Sequence, residues 1–186
     1  MSRLHTIKTL FMMAMLSAVT LSPAYAVLKE GTEAPVFSIN AVLGGKPFTF
    51  MLGDALRKGP VVLYFYPKAF TSGCTVEAHL FSDAADSFAA LHATVLGVSS
   101  DNLETVTKFS VEECHSKFAV AADPQGRVID LYDAHLLPLS HIASRISYVI
   151  TPDHKVYFVY KAMSPDDHVK KTLEAIKEWT DKKPKY

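Results

Sequence analysis

The sequence predicts an α/β fold, a three-layer sandwich around a mixed central sheet. Three observations carry this reading. Val61-Val62-Leu63-Tyr64-Phe65-Tyr66 is a continuous apolar run of strand length, the pattern of a strand buried on both faces. Thr94-Val95-Leu96-Gly97-Val98 is a second such run, and the segment between the two has helical spacing, so the strands pair in parallel through a right-handed crossover. Late in the chain, Ile146–Ile150 and Val156–Tyr160 flank Thr151-Pro152-Asp153-His154-Lys155, the signature of a hairpin that adds antiparallel strands.

The elements follow in order. Gly31 to Phe37 reads as an extended lead-in, and Ala41 to Phe50 as a small hairpin turning at Gly44-Gly45. After the strand at 61–66, Ala78, Phe81, Ala85, Phe88 and Ala89 recur at helical spacing and predict one helix from about Cys74 to His92. Beyond the second strand, Asp101 is the expected cap of a helix from Asn102 to Cys114, with Leu103, Val106 and Phe109 on one face. Asp123-Pro124-Gln125-Gly126 is a turn, and Val128 to Tyr132 a short helix. Ser164-Pro165-Asp166 reads as an N-cap followed by proline at the first helical position. The helix it opens runs to about Thr180 and buries Val169, Leu173 and Ile176. A thioredoxin-like sandwich fits this order of strand, helix, strand, helix, hairpin, helix.

The chain of 186 residues opens with a basic start (Arg3, Lys8), a mostly apolar stretch from Thr9 to Leu21, and Ala24-Tyr25-Ala26. Together these fit a secretory signal peptide over residues 1–26. The apolar stretch is shorter than the roughly 20 residues a spanning helix needs, so cleavage after Ala26 is expected rather than a membrane anchor. In a bacterium the signal sends the protein to the periplasm or outside the cell. Residues 27–186 then form one domain with no repeat and no linker, and 160 residues suffice for a real core. That part carries 17 basic and 19 acidic residues, a formal charge of −2, which favours neither nucleic acid nor an anionic membrane as partner. Both cysteines, Cys74 and Cys114, lie within it, and an oxidising compartment raises the prospect of a disulfide, structural or catalytic.

Chemistry concentrates in Pro67-Lys-Ala-Phe-Thr71-Ser-Gly-Cys74-Thr-Val-Glu77. The buried strand delivers Cys74 to the first turn of a helix, where unpaired backbone N–H groups and the dipole favour negative charge. A thiolate is the reactive form of cysteine. Buried cysteines are often mere core filler, but Thr71, Ser72 and Gly73 are cap and turn residues, which argues for reactive chemistry here.

Pro67-x-x-x-Thr71-x-x-Cys74 resembles the active-site signature of the peroxiredoxins, and Cys74-Thr75-Val76-Glu77 is similar to their bacterioferritin-comigratory branch. Ala143-Ser144-Arg145-Ile146-Ser147-Tyr148-Val149-Ile150 resembles the late strand that carries the family's arginine. The resemblance covers about residues 28–180. It implies a thiol peroxidase for hydrogen peroxide and organic hydroperoxides, with Cys74 as the peroxidatic nucleophile. Thr71 is expected to hydrogen-bond peroxide and thiolate, Arg145 to hold both with its planar fork, and Pro67 to shield the pocket from water. Glu77 is left outside the catalytic set, as a partner for a nearby cation or a helix-start acid.

Many members of this branch carry a second cysteine five positions after the first, where this chain has His79. His79 has no metal-ligand partner at convincing spacing and is read as a half-exposed helix residue; no cofactor or metal is expected. Cys114 is then the candidate resolving cysteine. Its neighbours Glu112, Glu113, His115 and Lys117 predict a partly exposed thiol. Bridging it to Cys74 requires Cα atoms within roughly 7 Å, so the start of the first long helix is expected to unwind. A thioredoxin-like or other thiol would act as reductant, and a monomer is expected. Two alternatives stay open: a one-cysteine peroxidase resolved by an external thiol, and a thioredoxin-fold binding protein without peroxidase activity. The latter lacks the Cys-x-x-Cys of disulfide exchange, since Thr71 stands three before Cys74. The insertion Leu136–Ile142, just before Arg145, is read as a pocket mouth or a partner surface.

Overall fold

The computed structural model describes residues 27–182, so the expected signal peptide lies outside the described residues. In chain order the elements are β1 (Ser38–Leu43), β2 (Lys46–Met51), α1 (Leu52–Leu56), β3 (Val61–Phe65), α2 (Ser72–Asp83), α3 (Ala85–Ala90), β4 (Thr94–Ser99), α4 (Leu103–Glu112), β5 (Ala119–Ala122), α5 (Arg127–Leu131), β6 (Ile146–Ile150), β7 (Val156–Lys161) and α6 (His168–Lys182). The strands form one sheet in the order β2-β1-β5-β4-β3-β6-β7. β3, β4 and β5 run parallel, and β6, β7, β1 and β2 add antiparallel pairings, so the sheet is mixed as the sequence predicts.

Alternation along the strands divides the core in two. Leu63, Phe65, Leu96, Val98, Ile146 and Tyr148 face a layer with α1 and α5. Val62, Tyr64, Val120 and Val149 face the opposite layer, with α2, α3, α4 and α6. This second layer holds both cysteines.

Several elements depart from the sequence expectation. β5 was not expected, because three of its four residues are alanine, a weak strand former. It persists because β1 and β4 pair with it from either side. α1 was also unforeseen. The helix expected over 74–92 is two helices: Ala84 takes a bridge-region backbone (φ −91°, ψ 0°) that closes α2 and opens α3. Phe88 still stacks on Phe81 at 5.8 Å, so the apolar stripe that suggested one helix survives the bend.

Asp101 does not cap α4. Asn102 does, its side chain accepting from the Thr105 amide at 2.9 Å, while the Asp101 carboxylate accepts from the Ala69 amide and the Ser99 hydroxyl. α6 begins at His168 rather than at Pro165. Ser164 donates to Asp166 instead of capping, and the carbonyls of Ala162 and Met163 are engaged by His168 and Arg145, which holds 162–167 as a connecting loop.

The site-bearing strand is packed with little slack. The Tyr64 ring stacks on Phe81 at 4.3 Å and lies over Gly97, where an added Cβ would fall 2.6 Å from Tyr64 Cζ. Gly97→Ala is therefore expected to destabilise the fold by about 1–3 kcal/mol, the usual cost of overpacking. Urea denaturation checks it, and an unchanged midpoint would mean that the ring yields.

Candidate active site

β3 ends at Phe65, and the chain turns through Pro67 into α2. Asp101 holds this turn from outside, accepting from the Ala69 amide at 2.7 Å and so tying the loop after β3 to the loop after β4. Phe70 sits at φ 63°, a left-handed backbone unusual for a bulky residue, with its ring edge-on to Phe109 at 5.3 Å. Thr71 is the N-cap of α2, and its carbonyl accepts from the Thr75 amide at 2.9 Å. Cys74, buried, is the third residue of the helix, within the turn whose amides lack intrahelical partners.

Arg145, the residue just before β6, reaches this sulfur. Its Nη2 donates to Cys74 Sγ at 3.4 Å, its Nε donates to the Met163 carbonyl at 3.0 Å, and its Nη1 donates to Glu77 Oε2. Gly73 makes the approach possible, since a Cβ there would lie 3.0 Å from Nη2. Arg145 is 3 % exposed and Glu77 0 %, so this contact is sealed inside the protein.

Glu77 is the site residue that the sequence reading left aside. Three positions after Cys74, it shares the helix face of the nucleophile, a spacing that could have identified it. Burial pushes its carboxyl up to about 8, with Arg145 pulling the other way. Its Oε1 has no hydrogen-bond partner and lies 3.8 Å from His168 Nδ1. That ring, fully buried at the start of α6, makes contacts of 2.8 Å from Nδ1 to Ser147 Oγ and 2.9 Å from Nε2 to the Ala162 carbonyl. Ser147 on β6 and Arg145 just before that strand are two residues apart, the spacing that shares one face of an extended chain. Nothing local marked His168, because its role comes from packing between distant elements.

The other expected site residues are placed less directly. Pro67 is half-buried at the head of the loop. Thr71 is exposed, and its hydroxyl donates to the Lys68 carbonyl at 2.9 Å rather than to the sulfur, because the turn offers that acceptor three residues back. Cys114 corrects the sequence expectation of a partly exposed thiol: it is fully buried in the same apolar layer as Cys74, and burial pushes its thiol up. Left-handed backbone at His115 (φ 47°) and Ser116 (φ 59°) turns the chain there. Glu112, His115 and Lys117 face water while the sulfur faces the core. Both thiols are free.

α2 covers the Cys114 turn. Ser82 Oγ donates to the Cys114 carbonyl at 2.8 Å, His79 Nε2 lies 2.8 Å from Glu113 Oε2, and the His79 and His115 rings stack at 4.9 Å. Residues 136–142 form a loop closed by the His135–Ala143 bridge, with Leu137 and Leu139 exposed. Among the described residues no cluster of histidine, cysteine and acidic side chains is arranged to hold a metal ion, and no helix is long and apolar enough to cross a membrane.

Comparison with known proteins bears on this arrangement. The sequence model of the AhpC/TSA family matches residues 31–159. Peroxiredoxin Bcp of Bacillus subtilis (strain 168) is 32% identical over 160 residues, covering 83% of this chain and 99% of that protein. Peroxiredoxin Bcp of Escherichia coli (strain K12) is 30% identical over 157 residues, covering 81% and 97%. Among solved structures, peroxidoxin BcpB from Mycobacterium tuberculosis superposes with a TM-score of 0.73 at 32% identity, covering 81% of this chain and 97% of that one. Mycobacterium tuberculosis AhpC, at 21% identity, shares the fold with a TM-score of 0.72, covering 84% and 96%.

The buried acid gives the fold a specific pH dependence. Glu77 keeps its proton in the folded state up to about pH 8, whereas the unfolded chain releases it near the ordinary value of 4.5. Between these limits the folded state binds the extra proton, so this group's contribution to stability falls as pH rises. Glu77→Gln is expected to abolish that component, on the order of a few kcal/mol across the window. Denaturant titrations of both proteins from about pH 5 to 8 measure it, and parallel curves would contradict it.

Proposed function

The chain belongs to the AhpC/TSA family, in the bacterioferritin-comigratory branch of the peroxiredoxins, and is a thiol-dependent peroxidase; we propose that Cys74 is its nucleophile and Arg145 its chief electrostatic partner. The observation that carries this reading is the guanidinium N–H aimed at Cys74 Sγ from 3.4 Å in a buried setting. The Cys74 thiolate attacks one peroxide oxygen, the O–O bond breaks, and sulfur is oxidised to the sulfenic acid. The other oxygen leaves as hydroxide or alkoxide and takes up a proton to give water or an alcohol. Arg145 and the first-turn amides of α2 are fixed donors for the charge that moves from sulfur to the leaving oxygen, and such donors lower the barrier without reorganising. Pro67 limits water access. Thr71 joins the donor set once its hydroxyl turns from the Lys68 carbonyl to the incoming peroxide.

Cys114 resolves the cycle in this reading. Its thiol attacks the Cys74 sulfenic acid, forming a disulfide and releasing water, and two thiols of an external reductant return both cysteines. Support comes from the shared apolar layer of the two sulfurs and the absence of any other cysteine. The step requires α2 to unwind at its start and the turn at 113–116 to open. Resolution by an external thiol is the second reading, favoured by the complete burial of Cys114. Cleavage after Ala26 and work in the periplasm, as a monomer, complete the proposal.

Intact-mass analysis tests it. One equivalent of peroxide is expected to remove two hydrogens from the wild type and to leave Cys74→Ser unchanged. Cys114→Ser is expected to gain one oxygen, and two in excess peroxide. A mixed adduct with added thiol in the wild type would favour the second reading. Arg145→Met is expected to slow peroxide reduction about 10²–10³-fold, the usual loss of one oriented donor. A rate within twofold of wild type would remove Arg145 from the mechanism.

A further inference from the structure

At the end of the sheet opposite Cys74 the core does not close. Thr94 at the start of β4 pairs with Val61 at the start of β3, a strand's length from the loop after Phe65. There a cleft of about 450 Å³ opens among the β1–β2 hairpin, α1, α3 and the first residues of β4 and β5. Its walls include the rings of Phe48, Phe50, Phe88 and Phe118. The space persists because α3 and the turn after it contribute Ala85, Ala89 and Ala93, side chains too short to fill it. Leu43 and Phe48 are exposed, so apolar surface meets water at the mouth. Apolar walls around a volume of this size, with a few polar groups, are the usual form of a small-molecule site. The polar groups set the ligand's charge. Lys58 just after α1 and Lys117 just before β5 line the cleft, and neither ammonium has a hydrogen-bond or ion-pair partner among the described residues. Asp54, the acid on the same lining, is already paired with Arg57 at 2.7 Å. Two free cations beside aromatic walls complement an anion with an apolar body.

We propose that this cleft binds a free amphiphilic carboxylate, its apolar body among the rings and its head on Lys58 and Lys117, and that occupancy favours the dithiol form over the disulfide. A bilayer lipid is the poorer occupant, because residues 27–186 carry a net charge of −2 and are not drawn to an anionic surface. The link to the sulfurs runs through the walls. Phe88 stacks on Phe81 at 5.8 Å, and Phe118 lies 6.0 Å from the same ring. Phe81 belongs to α2, the helix whose first turn carries Cys74. Lys117 follows the turn at 113–116, and its amide donates to the Cys114 carbonyl at 2.9 Å. A ligand packed between Phe88 and Phe118 therefore fits walls that opening of α2 and of the Cys114 turn displaces. By linkage, whatever factor the disulfide costs in affinity, the ligand costs the disulfide. This second half rests on Cys114 resolving the cycle.

Calorimetric titration of the dithiol protein with decanoate, below its micelle concentration, tests the site. Saturable one-to-one binding is expected, and decyltrimethylammonium, of the same chain and opposite charge, is expected to bind at least about tenfold more weakly. Replacing both Lys58 and Lys117 by Gln is expected to weaken decanoate binding about tenfold, the sum of two exposed charge contacts. Ala89→Leu, which fills the cleft from an exposed helix position, is expected to abolish it. Phe48→Ser, on an exposed wall, is expected to weaken it about tenfold and serves if Ala89→Leu fails to fold. No saturable binding, equal affinity for the two probes, or binding unchanged in the folded variants would overturn the site. Phosphatidylglycerol vesicles are expected not to retain the protein. Retention that Ala89→Leu abolishes would assign the cleft to a membrane and overturn the proposal as well. For the coupling, protein that has lost two hydrogens to one equivalent of peroxide is expected to bind decanoate at least about fivefold more weakly than the dithiol form. Equal affinity would overturn the coupling. If the two hydrogens are not lost, the resolving role of Cys114 and the coupling fail together, while binding to the dithiol form still decides the site.

Discussion

One guanidinium, shared among three acceptors away from water, is the constraint around which this molecule is arranged. Arg145 is planar, so fixing Nε on the Met163 carbonyl leaves little freedom for the two terminal nitrogens that meet Glu77 and Cys74. Those three partners come from the loop before α6 and from one face of α2, a turn apart. Each must therefore be held independently, or the fork loses a contact that nothing nearby could replace.

The sheet supplies the first hold. β3 and β6 pair antiparallel with Phe65 opposite Ile146, and extending the register by one residue sets Arg145 across from Tyr66. The strand that delivers the nucleophile loop thus ends where the strand bearing the cation begins. Asp101 supplies a second hold by fastening the loop after β3. α6 supplies a third: His168 occupies the Ala162 carbonyl, next to the carbonyl that Arg145 uses, so the link from β7 to α6 is pinned at two adjacent residues.

How much of this could be read from the sequence follows from how local each feature is. β3, β4 and the hairpin of β6 and β7 were legible because their burial is written as continuous apolar runs. The pairing of Cys74 with Arg145 was legible only through two motifs taken together, since the residues lie in different elements. β5 was hidden because Ala119-Val120-Ala121-Ala122 carries little strand signal of its own and depends on its neighbours. Cys114 misled because polarity was judged from adjacent residues, whereas its own side chain is buried in the apolar layer. Glu77 stood inside the quoted motif yet looked like an ordinary helix-start acid, and only the arrival of β6 and α6 shows that it is enclosed.

The contacts between α2 and the turn at Cys114 have a consequence for how the two sulfurs become available. Ser82 and His79 belong to the helix whose first turn carries Cys74, and they also roof Cys114. Fraying that spreads along α2 from its start therefore uncovers both thiols in one motion. The chain has, in effect, a single latch on two doors, and His79 is part of the bolt.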